Sequence, residues 1–121
     1  MRAALTSMGP RVRARSRQGR CFELAGKGQQ RDPSWILVHG TIYGWIAHAW
    51  LEKDGTAYDA VIDRFVPVPQ YEREFDAIAE RRYGPREAAE AMLSGPQGRH
   101  TWGPWHESAG NVQGLLVGRE K

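Results

Sequence analysis

Cysteine is nearly absent from this chain of 121 residues, which contains only Cys21. A single cysteine excludes the disulfide-stapled secreted modules and favours a reducing compartment. Apolar runs are also short, well below the ~20 residues that a membrane-spanning helix needs. The basic first residues are not followed by the apolar segment of a secretory signal. We therefore expect a cytoplasmic protein that has no membrane partner.

Acidic side chains are missing from the first twenty residues, which hold six arginines. The rest of the chain is net acidic, so the overall charge of +3 comes from this end. We interpret residues 1–18 as a basic arm and residues 19–121 as a single domain. Such an arm is more often a solvated, flexible end, and the alternative is weak nucleic-acid contact through its arginines.

Residues 45–62 predict a β-hairpin, because Asp54-Gly55 is a strong two-residue turn signal between two runs of aromatic and branched residues. With that loop, one face of the hairpin is almost wholly apolar. His48 and Asp59 then lie on the other face as diagonal neighbours, roughly 7 Å apart at the backbone. A three-residue loop would move Asp59 to the opposite face.

The remaining pattern predicts an α+β domain with a short antiparallel sheet. Residues 34–42 form a nearly continuous apolar run, which is typical of a central strand. A helical stripe covers residues 69–83, and a second helix follows Gly84 over residues 85–93. We expect these C-terminal helices to pack on the sheet.

Cys21 begins a short segment, residues 21–25, that predicts a helix ended by Gly26 and Gly28. A cysteine in the first turn of a helix lies near the positive end of the helix dipole, which favours the thiolate. A lone cysteine is more often a small buried apolar residue. Both interpretations stay open at this point.

Four further side chains are candidates for substrate binding: His39, Trp50, Trp102 and Trp105. His39 ends the central strand, where it either points into a site or is satisfied by the backbone. The two tryptophans around Gly103-Pro104 either line a pocket or seal the edge of the core.

The order Cys21, His48, Asp59 matches what a thiol nucleophile requires, namely a base for its proton and a carboxylate that orients the base. In its motifs H-A-W-L-E and Y-D the chain resembles the papain-like superfamily, particularly the transglutaminase-like branch and cell-wall peptidases of the NlpC type. It also resembles a group of small bacterial and phage proteins with G-x-C-[FY]-E, L-V-H-G and a late G-P-W, over about residues 19–105.

This resemblance implies a papain-like core in which Cys21 is the nucleophile, His48 the general base and Asp59 the orienting carboxylate. It implies a peptidase, amidase, deamidase or transglutaminase that acts on a protein or peptide and needs no cofactor. Gln18 stands closer to the cysteine than the oxyanion glutamine of papain-type peptidases. The backbone N–H of Cys21 is therefore the better oxyanion donor.

Two alternatives belong to other classes of function. The first is a phage-type binding or inhibitor protein on a catalytically degenerate papain-like fold. The second is a zinc site built from His39, His48, Asp59 and Cys21, which lacks the short paired spacing of structural zinc sites. We expect no metal.

Overall fold

A five-stranded antiparallel sheet with three helices forms the domain in this computed structural model, which describes residues 20–95 and 100–105. The predicted basic arm, residues 1–18, lies outside the described residues. The elements in chain order are α1 (Cys21–Arg31), β1 (Ile36–Ile42), β2 (Ile46–Lys53), β3 (Thr56–Asp59), β4 (Arg64–Pro67), α2 (Val68–Phe75), β5 (Ile78–Tyr83) and α3 (Pro85–Met92). The strand order across the sheet is β4-β3-β2-β1-β5. The predicted α+β class is therefore confirmed.

The helices cover the two faces of the sheet unequally. Helices α1 and α3 pack on one face, where Leu24 and Met92 join Leu37 and Leu51 in the larger apolar cluster. Helix α2 packs on the other face through Tyr71, in a second cluster with residues of β1, β2 and β4. Two apolar layers thus hold the sheet between helices, which is how an α+β domain of this size builds its core.

The β2–β3 hairpin has the predicted register. Leu51 pairs with Tyr58 and Lys53 pairs with Thr56, so the loop is the two residues Asp54 and Gly55. Both loop residues have positive φ, 50° and 80°, as the tight hairpin turn between right-twisted strands requires. The turn therefore fixes which side chains of the hairpin share a face.

Strand β1 occupies the predicted central position, between β2 and β5. Its residues Leu37 and Val38 point to opposite faces of the sheet and are both fully buried. This double burial explains why residues 34–42 read as a continuous apolar run instead of an alternating one.

The prediction that Gly26 and Gly28 end the first helix is wrong, because α1 continues through both glycines to Arg31. A side-chain Cβ on Gly26 would lie 2.6 Å from the ring of Trp102, so the glycine makes room for that indole. Farther along α1, Gln29 donates hydrogen bonds to the carbonyls of Trp35 and Tyr83. Packing of this kind overrides the ~1 kcal/mol by which each glycine disfavours a helix.

The predicted helix over residues 69–83 is also wrong in its second half. Helix α2 ends at Phe75, and Asp76 adopts a left-handed conformation with φ 49°. The chain then extends as β5, which pairs with β1. The helical pattern in the second half of residues 69–83 is coincidental, since tertiary pairing decides the state of a short segment. The helix predicted after Gly84 is present as α3, where the Glu87 carboxylate accepts the Gly84 N–H at 2.9 Å.

No helix within residues 20–95 and 100–105 is long and apolar enough to cross a membrane.

Gly40 is expected to tolerate no side chain. A Cβ at this position would lie 2.0 Å from the carbonyl oxygen of Ile78, at the irregularity where β1 pairs with β5. Gly40→Ala should therefore lower the free energy of unfolding by more than about 2 kcal/mol, measured by urea denaturation. Gly84→Ala is the control, because a Cβ there meets nothing closer than 3.6 Å. Equal stability of the two variants would contradict the backbone clash.

Candidate active site

His48 and Asp59 form a buried pair on the β2–β3 hairpin. His48 Nε2 donates a hydrogen bond to Asp59 Oδ2 at 2.9 Å. The two side chains are 8% and 3% exposed, so water screens their interaction little. The hairpin register, set by the two-residue turn, is what brings the imidazole and the carboxylate together.

Cys21 reaches the same histidine from α1. Helix α1 packs on β2, and Cys21 lies close enough to His48 to be one of the groups that raise the pKa of its imidazole. Because Nε2 is engaged by Asp59, the remaining ring nitrogen, Nδ1, is the one left for the thiol. The pairing of β3 with β2 covers only residues 51–53 of β2, so His48 lies beyond the part of β2 that pairs with β3. The three residues of the predicted group thus come from three elements, with Cys21 on α1, His48 on β2 and Asp59 on β3.

The Asp59 carboxylate is held by three donors. Oδ1 accepts the backbone N–H of Val61 at 2.9 Å, and Oδ2 accepts both His48 Nε2 and the hydroxyl of Tyr71, the latter at 2.5 Å. Burial is the largest influence and by itself raises the pKa of Asp59. The hydrogen bonds and the charge of His48, with the Tyr71 and Val61 donors, outweigh it and bring the pKa below its ordinary value. Asp59 is therefore an ionised acceptor at neutral pH.

His48 carries the complementary charge. Burial, its largest single influence, lowers the pKa of the imidazole, but hydrogen bonds and charges from Asp59 and Cys21 together raise the pKa from 6.5 to about 9. The imidazolium is consequently the main form of His48 at neutral pH. An imidazolium next to a thiol favours the thiolate, which is the nucleophilic form of cysteine.

Trp50 supports the pair from within the core. Its indole lies against the His48 ring at 6.2 Å between centroids and 28° between planes, and against Tyr71 at 5.3 Å. Its Nε1 donates to Glu52 Oε2 at 2.9 Å. With an exposed fraction of 1%, Trp50 offers no surface to a substrate in this structure. Its observed contacts are those of a side chain that fixes the position of the imidazole.

His39 lies on the opposite face of the sheet from His48. Its ring is fully buried and contacts Phe22, Tyr83 and Trp105 at 4.7 to 4.9 Å between centroids. A zinc site that joins His39 to the Cys21–His48–Asp59 group does not occur in this arrangement. More broadly, residues 20–95 and 100–105 contain no group of three or more potential metal ligands placed to hold an ion.

Trp102 and Trp105 are the two substrate-binding candidates that keep an exposed surface. They pack partly against the α1 side of the core, and Trp105 Nε1 donates to the carbonyl of Thr101 at 3.0 Å. Trp102 lies against Gly26 and Lys27 of α1, the helix that carries Cys21, while Trp105 contacts His39 and Tyr83 of the sheet. A role for them, or for His39 and Trp50, in substrate binding stays a prediction.

Tyr71 is the site residue that sequence reasoning missed. It falls on the apolar stripe of α2, where its ring is expected in the core. A buried tyrosine hydroxyl usually has a hydrogen-bond partner, which is the one signal the sequence offers. Nothing in the sequence pattern identifies Asp59 as that partner, because α2 and the end of β3 meet only through the fold.

Comparison with known proteins gives no match: no family model, curated protein or solved structure is significantly similar to the chain. Interpretation of the site therefore depends on its own geometry.

The raised pKa of His48 predicts a specific dependence of stability on pH. Because the folded pKa of about 9 exceeds the ordinary 6.5, the stabilisation from this group is complete below pH 6.5 and is lost as pH rises through 9. The free energy of unfolding should fall by about 3 kcal/mol across this interval. Urea denaturation at a series of pH values measures it.

His48→Gln is the matched variant, since it cannot titrate and retains a hydrogen-bonding side chain. Its stability should be lower than that of the wild type at pH 6 and should change much less between pH 6.5 and 9. Parallel curves for the two proteins would show that His48 is not held in its charged form.

Proposed function

We propose that this protein is a thiol-dependent acyl-transfer enzyme that uses Cys21, His48 and Asp59. The observation that carries the proposal is the position of the His48 imidazole, which is hydrogen-bonded to the Asp59 carboxylate at 2.9 Å and has its pKa raised by Asp59 and by the neighbouring Cys21. Burial of all three groups makes their mutual interactions strong. A papain-like arrangement of helix and strands, part of the same proposal, accounts for their order in the chain.

The reaction follows from the charges of the three groups. The Cys21 thiolate attacks the carbonyl carbon of an amide or ester and forms a C–S bond. As the tetrahedral intermediate collapses, the bond to the leaving amine or alcohol breaks, and the His48 imidazolium gives that group its proton. Water or a second amine then attacks the thioester while neutral His48 accepts its proton. The C–S bond breaks, the acid or new amide leaves, and the Cys21 thiolate and His48 imidazolium are restored. Asp59 keeps the imidazole oriented throughout.

The backbone at the start of α1 supplies the group needed for the developing oxyanion. Cys21 is the first residue of α1, and N–H groups of a first helical turn have no partner within the helix. The preceding residue, Arg20, makes no side-chain cap to them, because a guanidinium has donors only and cannot accept an N–H. The Cys21 N–H is therefore the oxyanion donor in this mechanism.

The class of reaction includes peptidases, amidases, deamidases and transglutaminases, which differ in the leaving group and in the nucleophile that resolves the thioester. A protein or peptide is the proposed substrate, in the cytoplasm. Binding of this substrate by Trp102 and Trp105 stays a prediction, because both rings pack on the α1 side of the core, which is the sheet face of His39 and not that of His48.

A binding or inhibitor protein on the same fold is the second candidate, and one observation favours it. The tip of the β1–β2 hairpin exposes Tyr43, Trp45 and Ile46, with exposed fractions of 52%, 79% and 38%. A cluster of exposed apolar side chains is typical of an interaction surface. In that case Cys21 would be an ordinary thiol, so the reactivity of Cys21 distinguishes the two candidates.

Low-pH reactivity of Cys21 is the central prediction. Iodoacetamide should alkylate the folded protein rapidly at pH 6, where an ordinary thiol of pKa about 8.5 is roughly 99% protonated. His48→Ala should slow this reaction on the order of 100-fold, because the imidazolium that holds the thiolate is gone. Asp59→Asn should slow it by about 10-fold, since Asp59 acts through His48. Mass spectrometry reads the adduct without ambiguity because the chain has one cysteine.

His100→Ala is the control for loss of a histidine, as His100 contacts Trp102 and is exposed. Circular dichroism must show that each variant is folded. If the wild type and His48→Ala react alike at every pH, the thiol is not activated and the enzyme proposal fails.

Acyl transfer itself is tested with p-nitrophenyl acetate. Release of nitrophenolate in a rapid first turnover, with an acetyl group on Cys21 in the intact mass, is expected for the wild type. Cys21→Ser should show neither. An activated thiol that is alkylated at pH 6 but never acylated would restrict the site to redox or binding chemistry.

A further inference from the structure

Tyr71 connects α2 to the candidate catalytic group by a short contact. Its hydroxyl donates to Asp59 Oδ2 at 2.5 Å, and its side chain is 1% exposed. The same carboxylate oxygen accepts His48 Nε2, so the phenol and the imidazole meet on one atom. A single oxygen thus receives two donors from two different elements of the fold.

We infer that Tyr71 is a positioning residue that keeps Asp59 ionised and aimed at His48. This inference rests on the proposed function and deepens it by one residue. A carboxylate on a short strand end can rotate about its χ2 angle, and each donor removes part of that freedom. The Val61 N–H binds Oδ1 and the Tyr71 hydroxyl binds Oδ2. These two hydrogen bonds fix the plane of the carboxylate without any contribution from His48.

Tyr71 is suited to this role because it stays a neutral donor. Burial, the charge of Asp59 and the shared hydrogen bond raise the pKa of the phenol well above its usual range. It therefore does not compete as a base for the proton of His48. The contact with the indole of Trp50 holds the ring of Tyr71 in place.

The charged and titratable groups that face Asp59 come from four elements. His48 lies on β2, Tyr71 on α2, and Arg64 pairs with Asp59 across β3 and β4. Arg64 is itself engaged by Glu74 of α2 at 2.8 Å, in an ion pair whose two side chains are both exposed. Cys21 of α1 reaches this group through His48. Of these, Tyr71 is the uncharged donor, so its removal changes no net charge near Asp59.

The expected effect of Tyr71→Phe is an upward shift of the pH at which Asp59 takes up a proton. Loss of a donor to a buried carboxylate makes its charged form less stable, and we expect a shift of about one pH unit. Once Asp59 is neutral, it no longer holds the imidazolium in position. The pH below which alkylation of Cys21 slows should therefore also rise by about one unit.

Tyr58→Phe is a matched control. Tyr58 is also fully buried, and its hydroxyl donates to an aspartate, Asp63 Oδ1, at 2.7 Å, but Tyr58 lies on the Leu51 face of the sheet, opposite His48. Both variants lose one buried phenol hydroxyl and should lose similar stability. Only Tyr71→Phe should alter His48.

The test is an imidazole NMR titration of His48 in the wild type and both variants, together with the pH profile of Cys21 alkylation. The inference predicts that the low-pH inflection of His48, which reports protonation of Asp59, rises by about one unit in Tyr71→Phe and is unchanged in Tyr58→Phe. Superimposed titrations of the wild type and Tyr71→Phe would overturn it. Absence of low-pH alkylation in the wild type would refute the proposed function, while the NMR titration would still decide the role of Tyr71.

If Tyr71→Phe does not fold, 3-fluorotyrosine at position 71 replaces it. The fluorinated phenol is more acidic and a stronger donor, so the inflection should move down instead of up. An unchanged inflection with the fluorinated residue would also overturn the inference.

Discussion

The buried charge of Asp59 is the constraint on which the candidate site depends. An ionised carboxylate that is 3% exposed is unstable unless donors and an opposite charge surround it. Here the donors come from a loop N–H, a helix tyrosine and a strand histidine. Each of these groups is fixed by a different part of the fold. Correct assembly of the site therefore requires that β2, β3 and α2 all be in place.

Much of this arrangement could be predicted from local sequence patterns. Asp54-Gly55 determines the hairpin register, and that register alone places His48 and Asp59 on one face. The central position of β1 follows from its continuous apolar run. The position of Cys21 at the start of a helix could also be predicted, since the residues that follow it predict a helix.

The parts that could not be predicted depend on contacts between distant segments. Helix α1 survives two glycines because Trp102 and the carbonyls of Trp35 and Tyr83 pack or bond against it. Strand β5 carries a helical pattern and becomes a strand because the edge of β1 is available to it. The Tyr71–Asp59 contact likewise joins two residues that no periodic pattern in the sequence indicates to be close together. In each case a long-range partner outweighs a local preference of about 1 kcal/mol.

The glycines of α1 have a consequence for the order in which the protein matures. A helix with Gly26 and Gly28 near its middle has little stability as an isolated segment, since short helices are marginal even in favourable sequences. Cys21 therefore acquires its helical position only when the sheet and Trp102 are available to pack against. Both of those partners are synthesised later than the cysteine. A nascent chain on the ribosome would carry an ordinary thiol, and the proposed nucleophile would become reactive only in the finished domain.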